Sequence, residues 1–538
     1  MTPRRTGPVP KVACAGRLRA LLRDSRMTPQ FESNSRCPAP LDIPQTQLDI
    51  AAGAADARLA RKKWLDLGLA GRAAVVGRLP ALLADNCDSV ASPVAQGLIK
   101  ACGHIPLRTD ADTIAAEIMP LAAAADYLAQ RAPRLLAEQK PRAHRFLPAF
   151  LLGRTSVRIQ RRPLGLVLVI GPWNYPLFLS GVQILSALVA GNAVMVKPGR
   201  GGTAAIRQFV ALLRQIGIDH QLVQILPEDT ASVYSAVNAG IDKVFFTGSR
   251  QAGTAVLAAL APKAIPSVME LSGSDAVIVL PGADMKLVAR AIRFSLVLNG
   301  GATCMAPRRV LAPAAQMRDL QVQLLAAMAG TDLWPVSAAV ADAILPKILA
   351  AMANGAKIIS GRLEGPNIFG PLILSDVSVQ DPLGQADSMC PVLSLCAVNF
   401  AADLPAAYHV CPLRLGVSIF GPPARAKAIA EELDAGCISI NDLIAPTADP
   451  RVVLAPRGAS GFGATRGDAG LLEMTSPVSI VQRHGRYRPH LDTARRSDGP
   501  ILQAVLKFLY GRGWPMRLSA LARAIRPGPK GGPPHPPP

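Results

Sequence analysis

The sequence predicts an α/β protein built on two doubly wound parallel sheets, and three observations carry that expectation. The first is a set of short apolar runs: Leu166-Val167-Leu168-Val169-Ile170, Ala193-Val194-Met195-Val196, Val223-Gln224-Ile225-Leu226 and Lys243-Val244-Phe245-Phe246. Runs apolar at nearly every position suit strands buried on both faces. The second is what separates them: helical patterns at 177–190, at 203–216 and after Ser249. The third is a repeat of this alternation beyond Gly273. Strand candidates there are Val277–Leu280, Arg309–Ala312, Val392–Val398, Leu415–Phe420 and Cys437–Ile440, with helices near 284–298, 314–328, 339–354 and 422–434. A chain of 538 residues, half apolar and 18% charged, is long enough for two such cores and argues against wholesale disorder.

In chain order, residues 1–45 read as an irregular, basic extension. Its first 26 residues carry a net +6, faintly like a transit peptide; the other reading is an extended start with Met27 as the working initiator. Residues 48–91 are helical, with Gly68 and Gly71 dividing them in two. A further helix near 110–136 should bend at Pro120. Residues 154–162 alternate apolar and polar, as an exposed antiparallel strand does. The most hydrophobic region, 164–196, is interrupted by Gly171-Pro172, Asn174, Pro176, Gln183 and Gly191-Asn192. That suits a buried strand–loop–helix–strand unit, not a membrane span. Residues 501–526 set Ile501, Val505, Phe508, Leu509, Leu518, Leu521 and Ile525 among basic residues, and the last dozen residues are Pro/Gly-rich.

Charge and cysteines bound the function. Of the net +21, residues 483–538 hold +9 and residues 1–26 hold +6. The basicity therefore belongs mostly to the ends, and the body carries no call for nucleic acid. Nine scattered cysteines form no CxxC pair and suit free thiols in a reducing, cytoplasmic setting. The seven histidines show no HExxH or other ligand spacing, so no metal is expected.

Five motifs close the apolar runs or follow them. They are Gly171-Pro172-Trp173-Asn174-Tyr175-Pro176, Gly191-Asn192-Ala193-Val194-Met195-Val196-Lys197-Pro198, Phe246-Thr247-Gly248-Ser249, Met269-Glu270-Leu271-Ser272-Gly273 and Ala302-Thr303-Cys304-Met305-Ala306-Pro307-Arg308-Arg309. A thiolate can bind a carbonyl covalently, and a carboxylate set in apolar sequence can activate the water that releases it. Gly248-Ser249 opening a helix suits a pyrophosphate, although the spacing to Gly253 is not the GxGxxG fingerprint.

These motifs, in this order and with Cys304 thirty-four positions after Glu270, resemble the aldehyde dehydrogenase superfamily over roughly residues 50–480. Ser460-Gly461-Phe462-Gly463 is similar to the family's C-terminal turn, and Ile440-Asn441-Asp442 to a strand end of its class-3-like branch. The resemblance implies Cys304 as nucleophile, Glu270 as general base, and an oxyanion hole from Asn174 and the Cys304 N–H. It implies a dinucleotide held by Trp173, Lys197, Arg200, Gly248, Ser249, Gly253, Leu271, Asp387 and Met389. The product would be a carboxylate, formed through a thiohemiacetal and a thioester. It also implies a cofactor-binding domain at 46–145 and 163–271, a catalytic domain at 272–477, oligomerisation strands at 146–162 and 478–495, a basic tail at 496–538, and a homodimer or homotetramer. The tail could lie on a membrane surface, or else pack on the body or be disordered.

The departures bear on the cofactor and on efficiency. Arg200 stands where the family often has an acid for the ribose hydroxyls, which favours NADP or dual use over NAD alone. Asp387 and Met389 replace the Glu and aromatic that position the nicotinamide, Ala302 replaces a Gln, Ala455-Pro456-Arg457-Gly458 degrades another motif, and the 304–387 segment is shortened. An apolar aldehyde is the expected substrate, with Trp173, Tyr175, Phe178, Met305 and Phe462 as its lining. The alternatives are a thioester-forming reductase, which the presence of Glu270 disfavours, and a catalytically weakened relative that binds nucleotide or serves a structural role.

Overall fold

The computed structural model describes residues 47–102, 108–142, 155–486, 491 and 498–525. The expectations for residues 1–45, for 146–154 and for the Pro/Gly-rich end lie outside these.

Eighteen strands are assigned among the described residues. The first sheet takes β2 (Leu166–Ile170), β3 (Ala193–Lys197), β4 (Val223–Ile225), β5 (Lys243–Gly248) and β6 (Ser267–Leu271) as parallel strands, in the order β6-β5-β2-β3-β4. The chain runs outward from β2 to β4 and then returns to β5 on β2's other side. This reversal opens a crevice at the carboxyl ends of β2 and β5, the place where such sheets receive ligands. Residues Leu166 to Val169 are fully buried, as expected of a strand covered on both faces.

The helix Phe178–Ala190 is buried along its whole length, so its ends cannot be satisfied by water. At its start, Glu117 accepts from the backbone N–H of Leu177 (2.8 Å) and Phe178 (2.9 Å). At its end, Trp64 donates to Leu188 O (2.8 Å), Arg72 to Val189 O (3.2 Å) and Arg61 to Gly191 O (2.9 Å). Gly191 closes it at φ 100°, the left-handed cap that favours glycine. The N-terminal helices thus act as caps for the central one. They number four (Gln47–Asp66, Gly68–Val76, Leu79–Asp85 and Cys87–Cys102) where two were expected, because the chain also turns at Gly77 and Asn86. The stretch near Pro120 is a π-helical turn, 114–118, leading into the helix Met119–Leu135.

The second sheet runs β10 (Lys357–Glu364), β11 (Asn367–Ser375), β12 (Val392–Val398), β8 (Pro307–Pro313), β7 (Asp275–Val279), β14 (Gly416–Phe420) and β15 (Cys437–Ile440). It is parallel from β11 to β15. Its antiparallel edge strand β10 and the short β9 (Trp334–Pro335), which also pairs with β11, were not expected. β13 (Leu413–Arg414) pairs with β16 (Arg457–Gly458). β17 (Gly461–Phe462) crosses to the first sheet and pairs with β6, setting Gly461 against Glu270. The chain thereby ties the turn of 460–463 to the strand that carries the carboxylate.

β1 (Thr155–Pro163) and β18 (Thr475–Arg483) form a separate antiparallel ribbon that overlaps the expected 146–162 and 478–495, much of whose remainder lies outside the described residues. Residues 501–526 are not one amphipathic stretch. They form two helices, Asp498–Tyr510 and Trp514–Ile525, turned at Gly511-Arg512-Gly513 and packed on each other. No single helix among the described residues is long and apolar enough to cross a membrane.

Candidate functional site

Two cavities meet at Glu270 and Cys304. One is a cleft of about 290 Å³ along the carboxyl ends of the first sheet. Trp173, Asn174, Lys197, Arg200, Gly248, Ser249 and Leu271 line it from that sheet, and Asp387 and Met389 from the second lobe. The other, of about 350 Å³, is mostly apolar and is lined by Tyr175, Phe178, Leu179, Phe294, Leu298 and Met305 together with Arg466. Of the residues expected to hold a cofactor, only Gly253 is absent from the cleft wall. A Cβ there would come within 2.5 Å of Leu271 Cδ2, so this glycine lets the helix Arg250–Leu260 approach the sheet. Of the expected apolar lining, Tyr175, Phe178 and Met305 face the second cavity. Trp173 instead faces the cleft, and Phe462 lies exposed on β17, outside the lining of the second cavity.

The loop carrying Cys304 is pinned from several sides. Asn299, at φ 52°, donates to Asn174 O (3.1 Å) and Ala302 O (3.3 Å). Tyr175 shares a hydrogen bond with the Thr303 hydroxyl (2.7 Å). Arg308, fully buried, donates to Cys390 O (2.7 Å), Gly301 O (2.9 Å) and Thr303 O (3.1 Å). The Asn174 side-chain amide donates to Ala302 O (3.0 Å). An amide nitrogen carries two hydrogens, so one donor remains in the cleft that Cys304 also lines.

Asn174 itself hangs on a buried pair that the sequence did not reveal. Arg108 and Glu117 meet at 2.8 Å, both essentially without solvent. Arg108 also donates to Asn174 O (3.3 Å) and Asn299 Oδ1 (3.4 Å) and lies over the Tyr175 ring. Glu117 holds the turn after Tyr175 through Leu177 and Phe178. These residues sit some sixty positions upstream of the motif they support, and no local pattern marks them.

The electrostatics at the junction run the other way. Glu270 is buried, and its Oε1 has no hydrogen-bond partner. Burial pushes its pKa up; the Arg466 charge and the Thr465 hydroxyl oppose this. Burial and the neighbouring Glu270 and Asp275 charges push the partly accessible Cys304 thiol up, again against Arg466. Arg466 donates to Thr447 O (2.6 Å) and lies over the Phe178 ring. It is therefore a nearly buried cation on the wall of the apolar cavity, with its charge felt at Glu270, and sequence reading missed it. Asp275, under the same junction, accepts from Gly416 N (2.9 Å) and is raised by burial to about 7.

The cleft suits a dinucleotide. Ser249 is extended and caps the helix Arg250–Leu260 by accepting from Ala252 N (3.3 Å), so the free N–H groups of that turn open toward the cleft. A Cβ on Gly199 would fall 2.2 Å from the carbonyl of Pro172, so the loops after β2 and β3 close together beneath it. Asp387 has the Ser272 hydroxyl and the Met389 N–H as hydrogen-bond donors, and Met389 sits at φ 42°.

Comparisons with known proteins agree with this geometry. The model of the aldehyde dehydrogenase family matches residues 42–480. The 4,4'-diapolycopene aldehyde oxidase of Methylomonas sp is 29% identical, over 84% of this chain and 86% of that protein. The NADP-dependent glyceraldehyde-3-phosphate dehydrogenase from Bacillus halodurans, solved with NADP, superposes with a TM-score of 0.73 at 25% identity, covering 81% of this chain and 92% of its own. A Mycobacterium tuberculosis aldehyde dehydrogenase solved with NAD+ gives a TM-score of 0.73 at 23% identity, covering 82% and 92%.

Proposed function

The chain belongs to the aldehyde dehydrogenase family, and from that premise we propose that it oxidises an apolar aldehyde to a carboxylate, with Cys304 as nucleophile and Glu270 as general base. One observation carries the reading: the thiol and the unpartnered carboxylate stand where an apolar cavity opens into a cleft built for a dinucleotide.

The aldehyde enters the cavity lined by Tyr175, Phe178 and Met305. Cys304 Sγ attacks the carbonyl carbon as its proton passes to Glu270, and the C–O π electrons move onto oxygen. The second amide hydrogen of Asn174 and the Cys304 N–H stabilise that oxygen; each such donor is worth about 3–4 kcal/mol of barrier. A nicotinamide dinucleotide would be held by Trp173, Lys197, Gly248, Ser249, Leu271, Asp387 and Met389, and would supply the hydride acceptor for the passage from thiohemiacetal to thioester. Glu270 gives that first proton up to solvent and then takes one from the hydrolytic water as its oxygen adds to the thioester carbon; the C–S bond breaks, the acid leaves, and the Cys304 thiolate takes the proton back from Glu270. Arg466 favours the charged forms of Glu270 and Cys304 that these steps require. The test is a burst of reduced cofactor on mixing with an aldehyde panel, lost in Cys304→Ala. No burst with any aldehyde would defeat the reading, and a thioester product instead of free acid would favour the reductase.

Two surfaces suggest company for the chain. A two-stranded ribbon is marginal alone, so β1 and β18 are proposed to seat a homodimer or homotetramer; a monomer by light scattering would refute this. The C-terminal helix pair exposes Ile501, Leu502, Leu506, Tyr510, Trp514 and Leu518 beside Lys507 and Arg512. Apolar and aromatic residues with basic charge suit an anionic membrane surface. Vesicle pelleting of the full chain against one ending at Arg483 decides it. A cytoplasmic setting fits free thiols and a reduced nucleophile.

A further inference from the structure

We infer that Glu228 guards the adenosine end of the dinucleotide cleft against a 2′-phosphate and makes NAD the preferred cofactor, an inference that rests on the dehydrogenase reading above. It reverses the expectation drawn from Arg200.

The cleft has two ends. Cys304, Asp387 and Met389 stand at one, and Lys197, Gly199 and Arg200 at the other, on the carboxyl side of β3. The end remote from the thiol must take the adenosine, since hydride transfer needs the nicotinamide at the thiol. In sheets of this kind a carboxylate beside that ribose accepts from its 2′-hydroxyl, whereas a free cation accommodates a 2′-phosphate. The sequence offers Arg200 there and no acid within the motif.

The fold brings the acid from the next strand. β3 and β4 run parallel with Val196 opposite Ile225, so Lys197 and Glu228 leave the same edge of the sheet side by side. Glu228 Oε2 accepts from Gly201 N (2.9 Å), and Oε1 from Thr203 N (3.0 Å) and the Thr203 hydroxyl (2.5 Å). These donors open the helix Thr203–Gln215, next to Arg200, and are the ones that could otherwise hold a phosphate. The seat is filled by a carboxylate. Partial burial alone would raise Glu228, but the Thr203 hydroxyl, the two N–H groups and Lys197 hold it below the ordinary carboxylate range. Lys197 is lowered by its own burial, with Glu228 and Asp229 opposing, so its charge is already shared with two acids. Arg200 is exposed at the rim. Glu228 sits behind the cleft wall that Lys197 and Arg200 line, so it acts through its charge and by occupying the helix start: a 2′-phosphate would meet the field of a fixed anion and a committed lysine, with only the exposed Arg200 in its favour, whereas a 2′-hydroxyl carries no charge to repel.

The experiment is titration of the full-length chain with NAD and with NADP, read by calorimetry and by quenching of the tryptophan fluorescence to which Trp173 contributes. Wild type should bind NAD at least about tenfold more tightly than NADP, because like charges placed together cost several kcal/mol. Glu228→Gln should shrink that ratio about tenfold, mainly by tightening NADP. Glu228→Ala, which removes the charge and the capping oxygens together, should act in the same direction, and the Tm of each variant reads any capping defect separately. Wild type binding NADP as tightly as NAD, or a ratio unmoved in both variants, overturns the inference and leaves the dehydrogenase reading standing. Binding of neither dinucleotide would overturn both.

Discussion

Glu117 and Glu270 are both buried glutamates within one site, and they differ in what surrounds them. Glu117 has an arginine at 2.8 Å and two backbone N–H groups. Glu270 has a buried oxygen with no hydrogen-bond partner, and the Arg466 charge and the Thr465 hydroxyl are what favour its charged form. Burial raises the pKa of both. One carboxylate is tied into a scaffold, and the other is left free to exchange a proton. A fully paired buried charge fixes geometry, whereas an under-satisfied one stores the capacity for chemistry.

The comparison breaks first at Glu270. Glu270→Gln should lower kcat about 10²–10⁴-fold and let the acyl-enzyme accumulate, as seen by mass spectrometry of the intact protein. Its folded pKa lies above the unfolded one, so the stability it contributes is full at low pH and is lost as pH rises through the folded value. Melting should therefore show the glutamine variant at least as stable as wild type at neutral and alkaline pH. A fall in Tm with unchanged kcat would reassign Glu270 to the scaffold.

Glu117→Gln should do the reverse. Removing one partner leaves Arg108 charged and buried, at a cost of about 3–5 kcal/mol in stability. Denaturant unfolding measures it. Activity should fall only as far as Asn174 loosens; a variant as stable as wild type would undo the scaffold assignment.

Arg466 sharpens the comparison, because its charge lowers both Glu270 and Cys304. In Arg466→Gln the rising limb of kcat/KM against pH should move to higher pH, with a loss of about threefold to tenfold at pH 7. An unmoved limb would remove Arg466 from the reaction.

The smallest effect belongs to Asp275, raised by burial to about 7. Its stabilisation is present below about pH 4 and drains as pH rises through about 7. Asp275→Asn should flatten the dependence of Tm on pH over that range and leave the acceptor for Gly416 N in place. Parallel curves for variant and wild type would refute the shift.

The β2, β3 and β5 cores and the five motifs were legible because buried parallel strands need continuous apolar runs, and the loops that end them must turn in few residues. The edge strands β9 and β10 were not, since half-exposed positions carry no such pattern. Gly253 shows how alike two roles look in sequence: a glycine that permits close packing, as this one does against Leu271, reads like one that cradles phosphate.

The sequence by itself determined the family likeness and the candidate groups: a thiol, a carboxylate and an amide in ordered motifs, with apolar runs that dictate an α/β fold. Only the tertiary structure decided the settings of that chemistry. Arg108 and Glu117 reach Asn174 across sixty residues, Arg466 reaches Glu270 across nearly two hundred, and Glu228 sits beside Lys197 only because β3 and β4 pair in parallel. Local pattern records what a residue can do. Burial, hydrogen bonding and neighbouring charge belong to whatever the fold places alongside, and they decide which proton moves and which anion is admitted.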